Sequence, residues 1–123
     1  MMSKVVPLLR VFDRAKTIEF YVDWLGFKID WEYKPVENSP FYMRVSLRDI
    51  VLELTEHHGE CSPGASVAIE DFTSLEAYHL GLLAKDYRYG KPGLKRPDWP
   101  EDTIVLTVYD PFSNKLHFSE KIG

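Results

Sequence analysis

Apolar and polar positions repeat along this chain first at the period of a strand, then of a helix, then of strands again. Val5 to Phe12 is apolar apart from Pro7 and Arg10, a run short enough for a buried strand. Asp13 follows as an N-cap carboxylate for the first orphan amides of a helix. Ile18, Tyr21, Val22 and Leu25 then recur at i, i+3, i+4 and i+7, one apolar stripe, with Phe20 and Trp24 widening it. Gly26 stands where a left-handed residue ends a helix, so the spacing predicts a helix over 14–25. In Phe27–Tyr33, Phe27, Ile29, Trp31 and Tyr33 face one way and Lys28, Asp30 and Glu32 the other, the alternation of a half-buried strand. Pro35–Pro40 has the residues of a turn. Phe41–Leu47 and Ile50–Glu56 read as two more strands, joined tightly at Arg48-Asp49.

His57–Gly64, with two glycines and a proline, marks a hinge. The order then repeats. Ala65–Asp71 reads as a strand, and Thr73 with Glu76 has the spacing of a capping box. Leu75, Tyr78, Leu82 and Leu83 supply a helical face, giving a predicted helix over 73–85. Tyr87–Tyr89 reads as a short extended piece and Gly90–Pro100 as a loop. Thr103–Tyr109 and Lys115–Glu120 are predicted strands about a turn at Asp110–Asn114. Setting Asp13 on Asp71 brings Leu25 onto Leu83. The chain is thus predicted to be α+β, two βαβββ modules, 1–60 and 61–123, within one structural domain.

Composition narrows the function classes. At 123 residues the chain can bury one core. A net charge of −4 offers no basic field for nucleic acid and tolerates a cationic ligand better than an anionic one. The single cysteine, Cys61, excludes an internal disulfide and fits a reducing compartment. No apolar run has membrane-spanning length, and Met1–Lys4 leads into a strand rather than a signal peptide, so the expected location is the cytoplasm, with no membrane partner.

Glu53 is the residue that stands out chemically. It lies in the middle of IVLELTE, on the face with Val51 and Thr55, so its carboxylate is either on a solvated sheet face or lining a cavity. His117, between Leu116 and Phe118, has the same two readings. His57 and His58 point opposite ways on an extended chain, and with Cys61 they form no complete zinc set. Nucleophile elbows and phosphate-binding glycine loops are missing.

Three segments carry a family resemblance: FYVDWLGF at Phe20–Phe27, LTEHHGECSPGA at Leu54–Ala65 and DPFSNKLHFSE at Asp110–Glu120. They resemble the glyoxalase/bleomycin-resistance proteins of the vicinal-oxygen-chelate superfamily. The resemblance implies βαβββ modules whose curled mixed sheets form a cup, and a homodimer with ligand sites in crevices. The superfamily's enzymes hold a divalent metal through four positions, which fall here near Val6, at Glu53, near Gly64 and at His117. Val6 and Gly64 have no ligating side chain, so Glu53 and His117 are left as weak metal candidates and no cofactor is expected. The resemblance also implies that Trp99, in a proline-rich loop, stacks on a planar drug. It places serine at 113 where the family has glycine, with Asn114 expected to take the left-handed turn position. The leading expectation is a protein that sequesters a planar, cationic, bleomycin-type antibiotic without catalysis. The expected ligand-binding residues are Trp31, Tyr33, Phe41, Glu53, Trp99, Tyr109 and His117, with Phe41 and Trp99 framing the crevice and Glu32 and Glu53 attracting a cationic tail. The alternative is a metal-dependent lyase or dioxygenase of the same superfamily.

Overall fold

The computed structural model describes residues 2–122, which divide into two units. One runs to Ala65 and takes in Asp110–Asn114, while the other takes Ser66–Tyr109 and resumes at Lys115.

The first unit holds β1 (Leu8–Arg10), a helix, β2 (Lys28–Tyr33), β3 (Tyr42–Leu47) and β4 (Ile50–Thr55). The sheet order is β1-β4-β3-β2, with β1 parallel to β4 and the other neighbours antiparallel. The first strand is shorter than Val5–Phe12, although its backbone bonding runs on through Val11 N–H to the Thr55 carbonyl. Asp13 caps the helix as expected, its carboxylate accepting from the Lys16 amide at 2.8 Å.

That helix begins as α1 (Arg14–Thr17) and widens into a π-helical stretch, Ile18–Trp24. Leu25 N–H consequently bonds the Phe20 carbonyl, five residues back. The buried face is Thr17, Phe20, Tyr21, Trp24 and Leu25, whereas Ile18 and Val22 are only half-buried. The expected stripe is thus rotated toward Phe20 and Trp24. Against it pack Leu9, Val11, Phe27, Phe41, Met43, Val45, Leu52 and Leu54, all buried. Gly26 turns the chain out of the helix at φ +92°, the left-handed conformation that suits glycine.

The alternation read in Phe27–Tyr33 breaks at a β-bulge. Ile29 pairs with Val45 but Trp31 pairs with Arg44, so one extra residue, Asp30, sits in β2. Ile29 therefore stays with the helix-covered face, while Trp31 and Tyr33 move to the opposite face beside Arg44 and Tyr42.

The turn Asp110–Asn114 is bonded into this unit. Asp110 Oδ2 accepts from the Tyr21 hydroxyl at 2.7 Å and from Asn114 Nδ2 at 2.8 Å. Its Oδ1 accepts the amides of Phe112 and Asn114. Asn114 Nδ2 also donates to the Arg10 carbonyl at 2.8 Å, and its Oδ1 accepts the Ala65 amide at 2.9 Å. The left-handed position belongs to Ser113, at φ 70°, rather than to Asn114, whose buried side chain is committed to these bonds.

The second unit holds β5 (Ser66–Ile69), α2 (Leu75–Ala84), β6 (Leu94–Lys95), β7 (Thr103–Tyr109) and β8 (Lys115–Lys121). Its order, β5-β8-β7-β6, repeats the first, with β5 parallel to β8. Leu75 and Leu82 are buried, and Tyr78 stacks on Phe118 at 5.6 Å, but Leu83 is turned to solvent. The short extended piece expected at Tyr87–Tyr89 is a turn instead, closed by Gly90 N–H to the Tyr87 carbonyl. The strand paired to β7 comes later, in the two residues between Gly93 and the Arg96-Pro97 step. No helix among the described residues is long and apolar enough to cross a membrane.

Candidate functional site

One face of the first sheet is covered by the helix; the other carries a row of rings and charges. The two-residue turn at Arg48-Asp49 sets the register, and it places Arg44 directly opposite Glu53 and Tyr42 opposite Thr55. The bulge in β2 adds Trp31 beside Arg44 and Tyr33 beside Tyr42.

Glu53 is the hub. Its Oε2 accepts from Arg44 Nε at 2.9 Å and Nη2 at 2.6 Å, and its Oε1 accepts from the Tyr42 hydroxyl at 2.5 Å. Burial pushes the Glu53 carboxyl up, but the bonds from Tyr42 and Arg44 and the guanidinium charge outweigh it, so the group lies below its ordinary 4.5. The same bond to Glu53, with burial and the carboxylate's charge, pushes Tyr42 up to about 12. The Trp31 and Tyr42 rings are parallel, with centroids 5.8 Å apart and 5° between planes, and the Arg44 guanidinium lies 5.6 Å from the Trp31 centroid. Trp31 and Tyr33 remain 43% and 60% exposed.

At the end of this face, Thr55 Oγ1 donates to Glu60 at 2.6 Å and accepts the His57 amide. Arg10 Nη1 donates to the His57 carbonyl at 3.1 Å, fixing the start of the hinge. Among the described residues, neither His57 nor His58 belongs to a group of three that could hold a metal ion. Burial pushes the Cys61 thiol up, away from a reactive thiolate.

Phe41 does not belong to this face. It is 0% exposed, because it stands two residues before Met43 and shares the helix-covered side with Met43 and Val45. It frames the core of the first unit rather than a ligand crevice. Glu32 forms a bidentate pair with Arg14, 2.7 Å on both arms, and Glu53 is held by Arg44. Neither is a free carboxylate for a cationic tail.

In the second unit, Tyr109 and His117 lie on the face of β7 and β8 opposite Val108, Leu116 and Phe118. His117 Nδ1 is 2.9 Å from Thr107 Oγ1, its cross-strand partner. Tyr109 is exposed, and Trp99, in the loop before β7, is 80% exposed.

The metal set implied by the sequence does not fit these residues. Val6 and Gly64 offer no side-chain donor, and Glu53 already holds a guanidinium 2.6 Å away, where a divalent ion would meet a fixed positive charge. Among the described residues no three of His, Cys, Asp and Glu come together to hold a metal ion.

Sequence reasoning missed Arg44. The signal was available: with a two-residue turn at Arg48-Asp49, Arg44 and Glu53 are equally distant from it and must pair.

Two four-stranded mixed sheets, each with one parallel and two antiparallel pairings, define a glyoxalase-type α+β fold. The chain belongs to the glyoxalase superfamily, whose sequence model, described as glyoxalase superfamily protein, matches it over residues 1–123. Among solved structures, it is similar to the bleomycin-binding protein of the bleomycin-producing Streptomyces verticillus, complexed with copper(II)-bleomycin. The TM-score is 0.69 at 24% identity, over 100% of this chain and 98% of that one. The bleomycin resistance determinant encoded on transposon Tn5 matches with TM-score 0.71 at 19% identity, over 98% of each chain. A glyoxalase family protein from Enterococcus faecalis matches with TM-score 0.67 at 17% identity, over 94% of each. No curated protein matches the sequence. At these identities the likeness to solved structures is one of fold.

Proposed function

We propose that this protein binds and sequesters a planar antibiotic of the bleomycin type, without chemical change, as a homodimer. The observation that carries the reading is the aromatic row on the open face of the first sheet, exposed Trp31 and Tyr33 with half-buried Tyr42. Exposed aromatic rings in a contiguous row are a costly surface for a protein to leave unused, and they suit a flat heteroaromatic. Bleomycin-binding proteins of the same fold support the choice of ligand. Trp99 and Tyr109 are further exposed rings available to such a ligand, and His117 is a polar neighbour of Tyr109's sheet face. A dimer would also cover edge strand β2, whose outer edge has no partner strand among the described residues.

Attraction of a cationic tail then rests on the long-range field of the net charge of −4 rather than on Glu32 or Glu53, so affinity should weaken as salt rises and screens that field. Calorimetric titration with bleomycin tests the reading. Trp31→Ala should weaken binding at least tenfold, about 1.4 kcal/mol, while leaving the melting temperature nearly unchanged, because Trp31 is part-exposed. No heat of binding with the unmodified protein would overturn the assignment. Sedimentation velocity showing a monomer at all concentrations would remove the dimer.

A further inference from the structure

We propose that the Trp31–Tyr42–Arg44 face selects ligands whose planar group carries an oxygen acceptor, a carboxylate or carboxamide, and that Arg44 is its anchor. The inference rests on this face being a ligand site, and it concerns which chemistry the site accepts.

The stack leaves one way in. A ring slipped between Trp31 and Tyr42 needs two contact distances of about 3.5 Å, about 7 Å in all. Their centroids are only 5.8 Å apart, so a flat ligand must lie on an outer surface of the pair. The polar group within reach of Trp31 is the Arg44 guanidinium, 5.6 Å from its centroid.

Donor and acceptor capacity then decides the sign of the ligand. A carboxylate has about four lone-pair sites, and Glu53 has filled three with Arg44 Nε, Arg44 Nη2 and the Tyr42 hydroxyl. A cation approaching it would find one remaining site beside a fixed positive charge. A guanidinium carries about five N–H donors, and Glu53 takes one from Nε and one from Nη2. About three stay available on a side chain that is 30% exposed. At the Glu53–Arg44 pair, free donors therefore outnumber free acceptors. Glu53 occupies two of the guanidinium's donors, so a ligand oxygen shares the guanidinium with a fixed carboxylate and competes with its charge.

The experiment titrates naphthalene-2-carboxylate, naphthalene-2-carboxamide and 2-naphthylmethylammonium, which share one ring system, into the unmodified protein and three variants, with bleomycin in parallel. The carboxylate and carboxamide should bind at least tenfold more tightly than the ammonium probe. Arg44→Met should abolish that preference, and Glu53→Gln, which releases the guanidinium, should strengthen carboxylate binding. Arg44→Met could leave Glu53 unpaired and unfold the chain, so the double variant Arg44→Met/Glu53→Gln, which removes both charges, should show the same loss of preference. Equal binding of the three probes, no binding of any of them at millimolar concentration, or a preference that survives loss of Arg44 would overturn the inference. If bleomycin fails to bind while the oxygen preference holds, the antibiotic assignment falls and the anchor stands. If bleomycin binds equally with and without Arg44 and the probes show no preference, the anchor falls and the assignment stands.

Discussion

Tyr42 keeps its proton against a carboxylate 2.5 Å away, and this one bond ties the acid and alkaline behaviour of the face together. Two groups set the pH window. Tyr42 is raised from 10.0 to about 12, chiefly by the bond to Glu53. Its contribution to stability is complete while both folded and unfolded tyrosine are protonated, and it is lost as pH rises from about 10 through about 12. Glu53 is lowered from 4.5, so its contribution is present above that value and is lost as pH falls below it. Glu53→Gln should thus lower the denaturant midpoint most between about pH 5 and pH 10, with the difference shrinking at both ends. Ultraviolet titration checks the assignment. One tyrosine should ionise near about 12, vanish in Tyr42→Phe, and move back toward 10 in Glu53→Gln. Tyr21, raised by burial and by Asp110, should stay late in both variants. Unchanged tyrosine ionisation in Glu53→Gln would show that the bond does not govern Tyr42.

At the scale of elements, what the sequence reveals depends on whether the cause is local. Asp13 caps its own helix three residues on, and the aliphatic strands of both sheets fall where alternation puts them. The bulge at Asp30 is invisible in β2 alone, because alternation continues through it; only pairing with β3 shows that Trp31 has changed face. That is why Trp31 and Tyr33 were legible as candidates but their surroundings were not. The start of α2 shows the same limit. Thr73 and Glu76 have the right spacing for a cap, but Ser74 adopts φ 59° and the helix begins only at Leu75. Glu120, from the last strand, instead accepts the amides of Ser74 and Leu75, each at 3.0 Å. No local pattern could assign that role to a residue 45 positions away. Glu120→Ala should cost about 1–2 kcal/mol, the sum of a lost cap and a lost anion at a helix N-terminus. Chemical denaturation measures it, and amide exchange at Ser74 and Leu75 should quicken. A loss below about 0.3 kcal/mol would show that water caps the helix equally well.

At the scale of the whole molecule, the doubled β-α-β-β-β order was legible because each strand is short, regular and set off by turn residues. The bonding of Asp110–Asn114 into the first unit was not, since the repeat alone counts those residues with the second half. Asn114 makes that attachment through both ends of its amide. Nδ2 donates to the Arg10 carbonyl and to Asp110 Oδ2, and Oδ1 accepts from the Ala65 amide. All of this lies in a side chain with no exposed surface. Asn114→Ala would take this partner from the Arg10 carbonyl and the Ala65 amide, while Asp110 Oδ2 keeps the Tyr21 hydroxyl; at about 1–3 kcal/mol for each group left unsatisfied, a loss on the order of 2 kcal/mol or more is expected. Asn114→Asp separates shape from chemistry. The aspartate fills the same volume and can still accept from Ala65, but it cannot donate to Arg10 and sets a second carboxylate against Asp110. At neutral pH it should therefore destabilise at least as much as alanine. Below about pH 4 a protonated carboxyl regains one donor, and the aspartate variant should recover relative to alanine. Urea titrations of both variants at pH 7 and pH 4 measure this. If aspartate is tolerated at pH 7, the donor half of Asn114 does not hold the turn, and shape alone would account for the residue.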